Sequence, residues 1–173
     1  MLANLMIREL VPDEWQLFRD FRLAALKAAP GLYGTRYDEA LQRSEAGWRE
    51  TISGPSNQSF GLFDGNMLVG ITSVFTWAED PSGATAMLAS SFIAPSHRRR
   101  GLSRMLYEAR FAWIRQHKQF TRVIVGHRLS NEPSRRANQH YDFVEFRRGT
   151  HEWPDGTTED EVFYEMKIDR DFD

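Results

Sequence analysis

The sequence predicts a single α+β domain, residues 1–173, built around a mixed and mostly antiparallel sheet. Short apolar runs separated by turn signals, such as Asp64-Gly65-Asn66, predict antiparallel hairpins. One helical stretch, residues 102–118, lies between two apolar runs, which is typical of a crossover joining two parallel strands. A length of 173 residues suffices for one hydrophobic core, so we expect no second domain.

The first part of the chain predicts a strand, two helices and three further strands. Residues 6–11 form the first strand. Pro12 and the two acidic residues after it favour a helix start, and Pro30-Gly31 ends that helix. A second helix is expected over residues 38–52, before the break at residues 54–57. The next three strands are expected at residues 59–63, 67–77 and 85–94.

The remainder of the chain predicts two helices and three strands. The 102–118 helix carries apolar residues at intervals of three and four: Leu102, Met105, Leu106, Ala109 and Trp113. Residues 122–129 form a buried strand, which pairs in parallel because it follows a crossover helix. A short helix begins after Asn131, because asparagine caps helices and Pro133 suits a first turn. Strands at residues 143–150 and 161–168 bring the totals to about seven strands and four helices.

Composition and charge exclude several classes of protein. A hydrophobic content of 41% and a charged content of 27% are those of an ordinary soluble protein. A formal net charge of -2 provides no basic field for nucleic acid. Cysteine is absent, which excludes disulfides and a catalytic thiol and fits a reducing compartment. No apolar run is long enough for a membrane span or a signal peptide, so we expect a cytoplasmic protein without membrane binding. The histidines show no metal-ligand spacing, and no metal site is expected.

A short basic loop between a strand and a helix is the strongest functional signal. The apolar run stops at Pro95, and Arg98-Arg99-Arg100-Gly101 leads directly into the 102–118 helix. Free backbone N–H groups and the positive end of the helix dipole both favour an anion there. Three consecutive arginines could also be a solvated basic patch. The glycine and the helix behind them favour a phosphate cradle.

A second pattern lies downstream, where Asn131 is followed by Ser134 and by Asp142-Phe143 at eleven and twelve residues after the asparagine. Together with residues 98–103, this pattern resembles the two signature motifs of the GCN5-related N-acetyltransferase (GNAT) superfamily. The order of elements also resembles that of the family from residue 6 to residue 168.

Three positions depart from the family pattern. Ser103 stands where the first motif has glycine or alanine, and Asp142 replaces a glycine. Aspartate tolerates the turn conformation that such a glycine adopts. Asn138 replaces a tyrosine whose phenol is thought, in many members, to protonate the leaving thiolate, and an amide cannot do this. Tyr141 or a water could substitute, or the leaving group could depart as a thiolate. Core packing is the favoured interpretation of Tyr141.

The resemblance implies a three-layer α/β/α fold that binds acetyl-CoA in a cleft between splayed strands. Phe92 and Ile93 would offer backbone groups to the pantetheine arm, and an N–H near Ile93 would stabilise the reacting carbonyl oxygen. Asn131 would contact the same arm, and Asn138 would lie near the thioester. Backbone amides of residues 99–104 would hold the pyrophosphate. The implied cofactor-binding residues are Phe92, Ile93, Arg98, Arg99, Arg100, Gly101, Leu102, Ser103, Arg104, Asn131 and Asn138.

The catalytic residues stay open at this stage. Glu79, His127 and Asp142 are candidates for a general base. His127 ends a predicted strand near the cleft, and an ordinary histidine pKa of about 6.5 suits proton transfer. A hydrogen-bonded structural histidine is the alternative. Tyr33 and Tyr37 are candidates for the acceptor pocket, because the corresponding region commonly shapes that pocket in the family.

The resemblance implies an acetyl-CoA-dependent N-acetyltransferase that acts on a primary amine of a small molecule or peptide by direct attack in a ternary complex. Homodimers are frequent in the family. The alternative is an acyl-CoA-binding module that has lost catalysis, which the changes at Asn138 and Asp142 would allow. A nucleic-acid-binding domain that uses the arginine run is a third alternative, and the near-neutral charge argues against it.

Overall fold

The computed structural model describes residues 4–169. Within them eight strands are present: β1 Leu5–Glu9, β2 Ser53–Gly54, β3 Asn57–Asp64, β4 Met67–Thr76, β5 Thr85–Ile93, β6 Arg122–Arg128, β7 Val144–Glu152 and β8 Thr158–Lys167. The α-helices in the same range are α1 Trp15–Ala28, α2 Tyr37–Leu41, α3 Glu45–Ile52, α4 Ser103–Gln116 and α5 Glu132–His140. Short 3-10 turns precede α1 and α4, at Pro12–Glu14 and Pro95–His97.

All strands belong to one mixed sheet. Seven strands lie in the order β1-β3-β4-β5-β6-β8-β7, and the two-residue β2 pairs with β3. Neighbouring strands run antiparallel except β5 and β6, which pair in parallel on either side of the α4 crossover. The predicted mixed, mostly antiparallel sheet and its single parallel pair are therefore confirmed.

Helices cover both faces of the sheet and give three layers. On one face, α1, α2 and α3 bury Phe18 and Trp48 in a cluster with Ile71 of β4. On the other face, Leu106 of α4 packs against Leu62 of β3. A larger cluster on that face includes the partly buried Ala137 of α5. The candidate functional site lies between these layers, at the end of the sheet where β5 and β6 diverge.

The predicted second helix, residues 38–52, is wrong as a continuous helix. Helix α2 ends at Leu41 and α3 begins at Glu45. Between them Ser44 is extended, and its hydroxyl accepts a hydrogen bond from the Gly47 amide at 3.1 Å. A serine that caps one helix cannot also lie inside another, so the local side-chain hydrogen bond prevails over the apolar spacing.

Candidate functional site

Strands β5 and β6 separate halfway along their length. Their parallel register begins with Thr85 opposite Arg122 and ends with Leu88 opposite Val125. Beyond that pair the two strands continue for several residues without pairing to each other. The separation leaves a gap in the middle of the sheet, with one open strand edge on each side.

A bulge in β5 lies beside this gap. The register of β5 against β4 shifts within residues 89–92, and Ser90 has a φ of +59°. The bulge is held by side chains: the Ser91 hydroxyl is 2.8 Å from the Thr72 hydroxyl, and Arg110 Nη1 donates to it at 3.1 Å. The bulge turns β5 away from β6 and gives the gap a fixed shape.

The larger of two adjoining cavities, about 540 Å³, occupies this gap. Its walls come from β5, the basic loop, α4, the end of β6 and the start of α5. Eight of the residues predicted for cofactor binding line it: Phe92, Ile93, Arg98, Arg99, Gly101, Leu102, Ser103 and Asn131. Three others, Arg100, Arg104 and Asn138, do not line it.

The basic loop presents backbone amides at the start of α4. Arg99 and Gly101 both lie in the left-handed region, with φ of +61° and +69°. The N–H groups of residues 99–103 have no backbone acceptor within the described part of the chain. Gly101 lines the cavity, and a Cβ there would meet no atom within 4 Å. Free amides, open space and the helix dipole together fit a pyrophosphate.

The arginine side chains do not all contribute to this cradle. Arg98 turns back onto β5, where its Nε donates to the Ile93 carbonyl at 2.9 Å and its guanidinium lies 5.0 Å from the Phe92 ring centroid. Exposed Arg104 forms an ion pair with Glu108 at 2.6 Å. The side chains of Arg98 and Arg104 are therefore engaged with other groups, whereas Arg99 lines the cavity.

The two β5 residues predicted to offer backbone groups differ in their orientation. The Ala94 N–H donates to the Val69 carbonyl at 2.8 Å. Successive residues of an antiparallel strand direct their backbone N–H and C=O groups to opposite sides. Phe92, two residues before Ala94, therefore also directs its backbone groups toward β4, while the Ile93 N–H points into the gap. Only Ile93 therefore has a backbone donor for a ligand, and Phe92 contributes its side chain to the wall.

Asn131 and Asn138 have different environments. Asn131 lines the larger cavity and also caps α5, accepting a hydrogen bond from the Ser134 amide at 3.3 Å. Asn138 is fully buried, and its Oδ1 accepts a hydrogen bond from the Tyr107 hydroxyl at 2.8 Å. Asn138 does not line the larger cavity, so its expected position near the thioester stays a prediction. Tyr107, instead, lines the cavity.

A smaller cavity of about 390 Å³ adjoins the larger one. The two share Tyr33, Ser90 and His127 in their walls, so they meet at the bulge of β5. The Tyr33 hydroxyl donates to the Ser91 carbonyl at 2.6 Å, and burial raises the pKa of Tyr33 to about 12, which keeps the phenol neutral. Tyr37, the other tyrosine predicted for an acceptor pocket, lines neither cavity.

His127 lies where the two cavities meet and is nearly buried, with 6% of its surface exposed. Its Nδ1 is 2.8 Å from the Arg128 carbonyl oxygen. A carbonyl only accepts, so Nδ1 carries the proton and Nε2 of the neutral ring has a free lone pair. Nε2 is buried without a hydrogen-bond partner among the described residues. Burial lowers the pKa of His127, and the nearby Arg135 charge lowers it further, although the bond to Arg128 opposes this.

The other general-base candidates lie outside the cavities. Glu79 forms an ion pair with Arg147 at 2.6 Å, and the hydrogen bond from this arginine lowers its pKa. Asp142 has a φ of +61°, in the left-handed region that glycine adopts freely and aspartate tolerates. Tyr141 stacks on Tyr107 with ring centroids 4.5 Å apart, as its predicted packing role requires.

Two buried arginines near the site were missed in the sequence. Arg22 lines the smaller cavity and Arg110 the larger one, and both are at least nine-tenths buried. Burial lowers the pKa of each to about 10. The sequence contains a signal that both arginines lie on the apolar face of a helix, because Arg22 follows Phe18 by four residues and Arg110 follows Leu106 by four. A charged residue on an apolar helix stripe is unusual unless it has a specific partner.

Most of the chain matches a known protein family. Residues 14–143 match the model of the acetyltransferase (GNAT) family. The chain belongs to the GNAT acetyltransferase family. The matched segment contains the basic loop, the β5 bulge, His127 and the Asn131–Phe143 pattern, and it spans most of both cavities. The resemblance inferred from the motifs is confirmed.

Solved GNAT structures share the whole fold at low sequence identity. A GNAT acetyltransferase from Streptococcus pneumoniae has a TM-score of 0.81 at 16% identity, covering 95% of this chain and 100% of that one. YncA from Salmonella typhimurium, a proposed acetyltransferase in a structure with its cofactor acetyl-CoA, has a TM-score of 0.76 at 18% identity, covering 97% and 96%. A ribosomal-protein-S5-alanine acetyltransferase from Vibrio fischeri has a TM-score of 0.77 at 14% identity, covering 100% and 97%. No curated protein matches the chain.

Residues 4–169 of this GNAT chain contain neither a cluster of metal-ligating side chains nor a membrane-spanning helix. No group of three or more histidine or acidic side chains in that range could hold a metal ion. None of the helices there combines the length and the hydropathy that a membrane span needs.

Proposed function

We propose that this GNAT protein transfers the acetyl group of acetyl-CoA to a primary amine of a small molecule or peptide, by direct attack in a ternary complex. The observation that carries the proposal is the junction of two cavities at Ser90 and His127. One cavity leads from this junction to the amide cradle of residues 99–103. The other leads into the layer of α1–α3 and would admit the amine.

The larger cavity fits the donor at both ends. The amides of residues 99–103 would hold the pyrophosphate, and the N-terminus of the 14-residue α4 adds a favourable dipole. The Ile93 N–H, which points into the gap, would donate to the thioester carbonyl oxygen. Apolar walls that include Leu106 and Val125 would exclude water from the arm between these two ends.

The smaller cavity would bring the amine to a neutral base. Acetyl-CoA supplies a thioester carbonyl, so that a C–N bond forms, the C–S bond breaks and the proton lost by the amine is balanced by one taken up at the sulfur. His127 Nε2 would accept the amine proton, since its lone pair is free and burial keeps the ring neutral. Positioning of the two reactants across one junction supplies the rest of the acceleration.

The test is release of free thiol from acetyl-CoA. The protein is incubated with acetyl-CoA and a panel of primary amines and amino-terminal peptides, and thiol release and N-acetylated product are measured together. We expect product and thiol in equal amounts with at least one class of amine. Controls without amine and without protein measure background hydrolysis.

One competing interpretation is a GNAT module that binds acetyl-CoA without catalysis. It is favoured by Asn138, which replaces the proton-donating tyrosine of many family members and is itself buried and hydrogen-bonded. Calorimetric binding of acetyl-CoA without thiol release for any amine would support that module. Absence of acetyl-CoA binding would contradict both functions.

A further inference from the structure

Arg22 is a feature of the smaller cavity to which the proposed reaction gives no role. It lies on the buried face of α1 with only 8% of its surface exposed. Its Nη1 has no hydrogen-bond partner within residues 4–169, and none of the ion pairs in that range includes it. A buried cation without a counter-charge is unfavourable, so a ligand that supplies the counter-charge would stabilise this arrangement.

Arg22 packs on an aromatic ring and remains charged although it is buried. Its guanidinium carbon lies 4.3 Å from the centroid of the Tyr33 ring. Burial lowers its pKa to about 10, which still leaves it protonated at neutral pH. Arg43, from the connection between α2 and α3, lines the same cavity and donates to the Thr51 hydroxyl at 3.1 Å. Two guanidinium groups thus contribute to the helical side of one small cavity.

The opposite side of the cavity is formed by the sheet and has different chemistry. Among the described residues, Glu161 of β8 is the one acidic side chain that lines it. Burial raises the pKa of Glu161, and its carboxylate lies 3.7 Å from His151 Nδ1. His127 lines the same side at the junction with the donor cavity. The cavity therefore has cations on its helical side and proton-accepting groups on its sheet side.

We propose that the acceptor is a small amine that also carries a carboxylate, with the carboxylate bound by Arg22 and the amine directed toward His127. An Arg guanidinium pairs with a carboxylate through two parallel hydrogen bonds, which also fixes its orientation. A volume of about 390 Å³ accommodates a molecule of amino-acid size. The direction of the amine rests on the proposed function, whereas the carboxylate subsite rests on Arg22 alone.

The experiment compares the twenty amino acids with their decarboxylated amines, using the full chain. Calorimetric titrations are made with the protein saturated by CoA, so that binding is measured without turnover, and kcat and KM are measured with acetyl-CoA. We expect at least one amino acid to bind, and its decarboxylated amine to bind more weakly. Arg22→Met should weaken binding of that amino acid and raise its KM by about 10- to 100-fold. Arg22→Lys, which keeps the charge but lacks the forked guanidinium, should give an affinity and a KM between those of the native protein and Arg22→Met.

Arg19→Met is the matched control, because Arg19 lies one turn earlier on α1, pairs with Asp20 at 2.8 Å and lines neither cavity. Unchanged affinity for acetyl-CoA shows that Arg22→Met is folded. The proposal is overturned if no amino acid binds better than its decarboxylated amine, or if Arg22→Met weakens binding no more than Arg19→Met. Absence of turnover with every amine would contradict the proposed function and would leave this binding comparison intact.

Discussion

Gly101→Trp is expected to abolish measurable binding of acetyl-CoA. Gly101 lies in the wall of the larger cavity with no atom within 4 Å of a Cβ built on it, so an indole would occupy the space beside the free amides. We expect the dissociation constant for acetyl-CoA to rise by at least about 100-fold, equivalent to about 2.8 kcal/mol. Calorimetry with the purified variant measures it.

Gly83→Trp is the matched control for this substitution. Gly83 has nearly the same backbone conformation, a φ of +71° against +69° for Gly101, and also has open space around it. It lies in the β4–β5 turn and lines neither cavity. Both variants carry the same left-handed strain, about 1–2 kcal/mol, and should lose similar amounts of unfolding free energy. Equal acetyl-CoA affinity in the two variants would contradict the placement of the cradle.

His127→Asn is expected to remove the base while keeping the hydrogen bond that holds it. The asparagine amide can donate to the Arg128 carbonyl as Nδ1 does, at 2.8 Å in the native structure, but it has no basic nitrogen. We expect kcat to fall by about 100- to 10,000-fold, the usual contribution of a general base. Affinity for acetyl-CoA should change little. Steady-state thiol release and calorimetry measure the two quantities.

The pH dependence of kcat gives a second readout of the same residue. Burial lowers the pKa of His127, so the ring stays neutral through neutral pH and takes up a proton only at lower pH. In the native protein kcat should therefore fall below a pKa that is itself lower than about 6.5. In His127→Asn this acidic limb should be lost together with the activity.

His117→Asn is the control for both readouts, because the Nδ1 of His117 is also 2.7 Å from a backbone carbonyl, that of Trp113. His117 lines neither cavity. Its variant should keep native kcat and the native acidic limb. A His127→Asn protein with native kcat would show that the base is a different group, or that the amine loses its proton to water.

The parts of the site that depend on local sequence were predictable. The basic loop follows from Pro95, Gly101 and the helical spacing after them, and the structure places α4 as expected. Asn131 caps α5, as its position before Glu132-Pro133 predicts. Asp142 adopts a left-handed turn conformation, which aspartate tolerates. Each of these features is determined by residues that are neighbours in the chain.

The parts that depend on packing between distant elements were not predictable. Asn138 is buried because Tyr107 of α4 lies against it, a contact across 31 residues that no motif reports. The carbonyl of Ile93 has Arg98 as a partner, which the loop sequence does not indicate. Arg22 interrupts an apolar stripe, which marks it as unusual, but only the tertiary structure shows that it lines a cavity.

The division of the second helix illustrates the same limit at a smaller scale. Apolar spacing over residues 38–52 fits one helix, yet Ser44 forms a cap with the Gly47 amide and separates two helices. The division also affects the smaller cavity, because Arg43 lies in this connection and lines that cavity.

The crystal structure of the protein with acetyl-CoA tests the central claim most directly. We expect the pyrophosphate within hydrogen-bond distance of the amides of residues 99–103, and the thioester carbonyl at the junction of the cavities, beside the Ile93 N–H and near His127. A pyrophosphate bound elsewhere, or a thioester that lies away from the junction, would contradict the account.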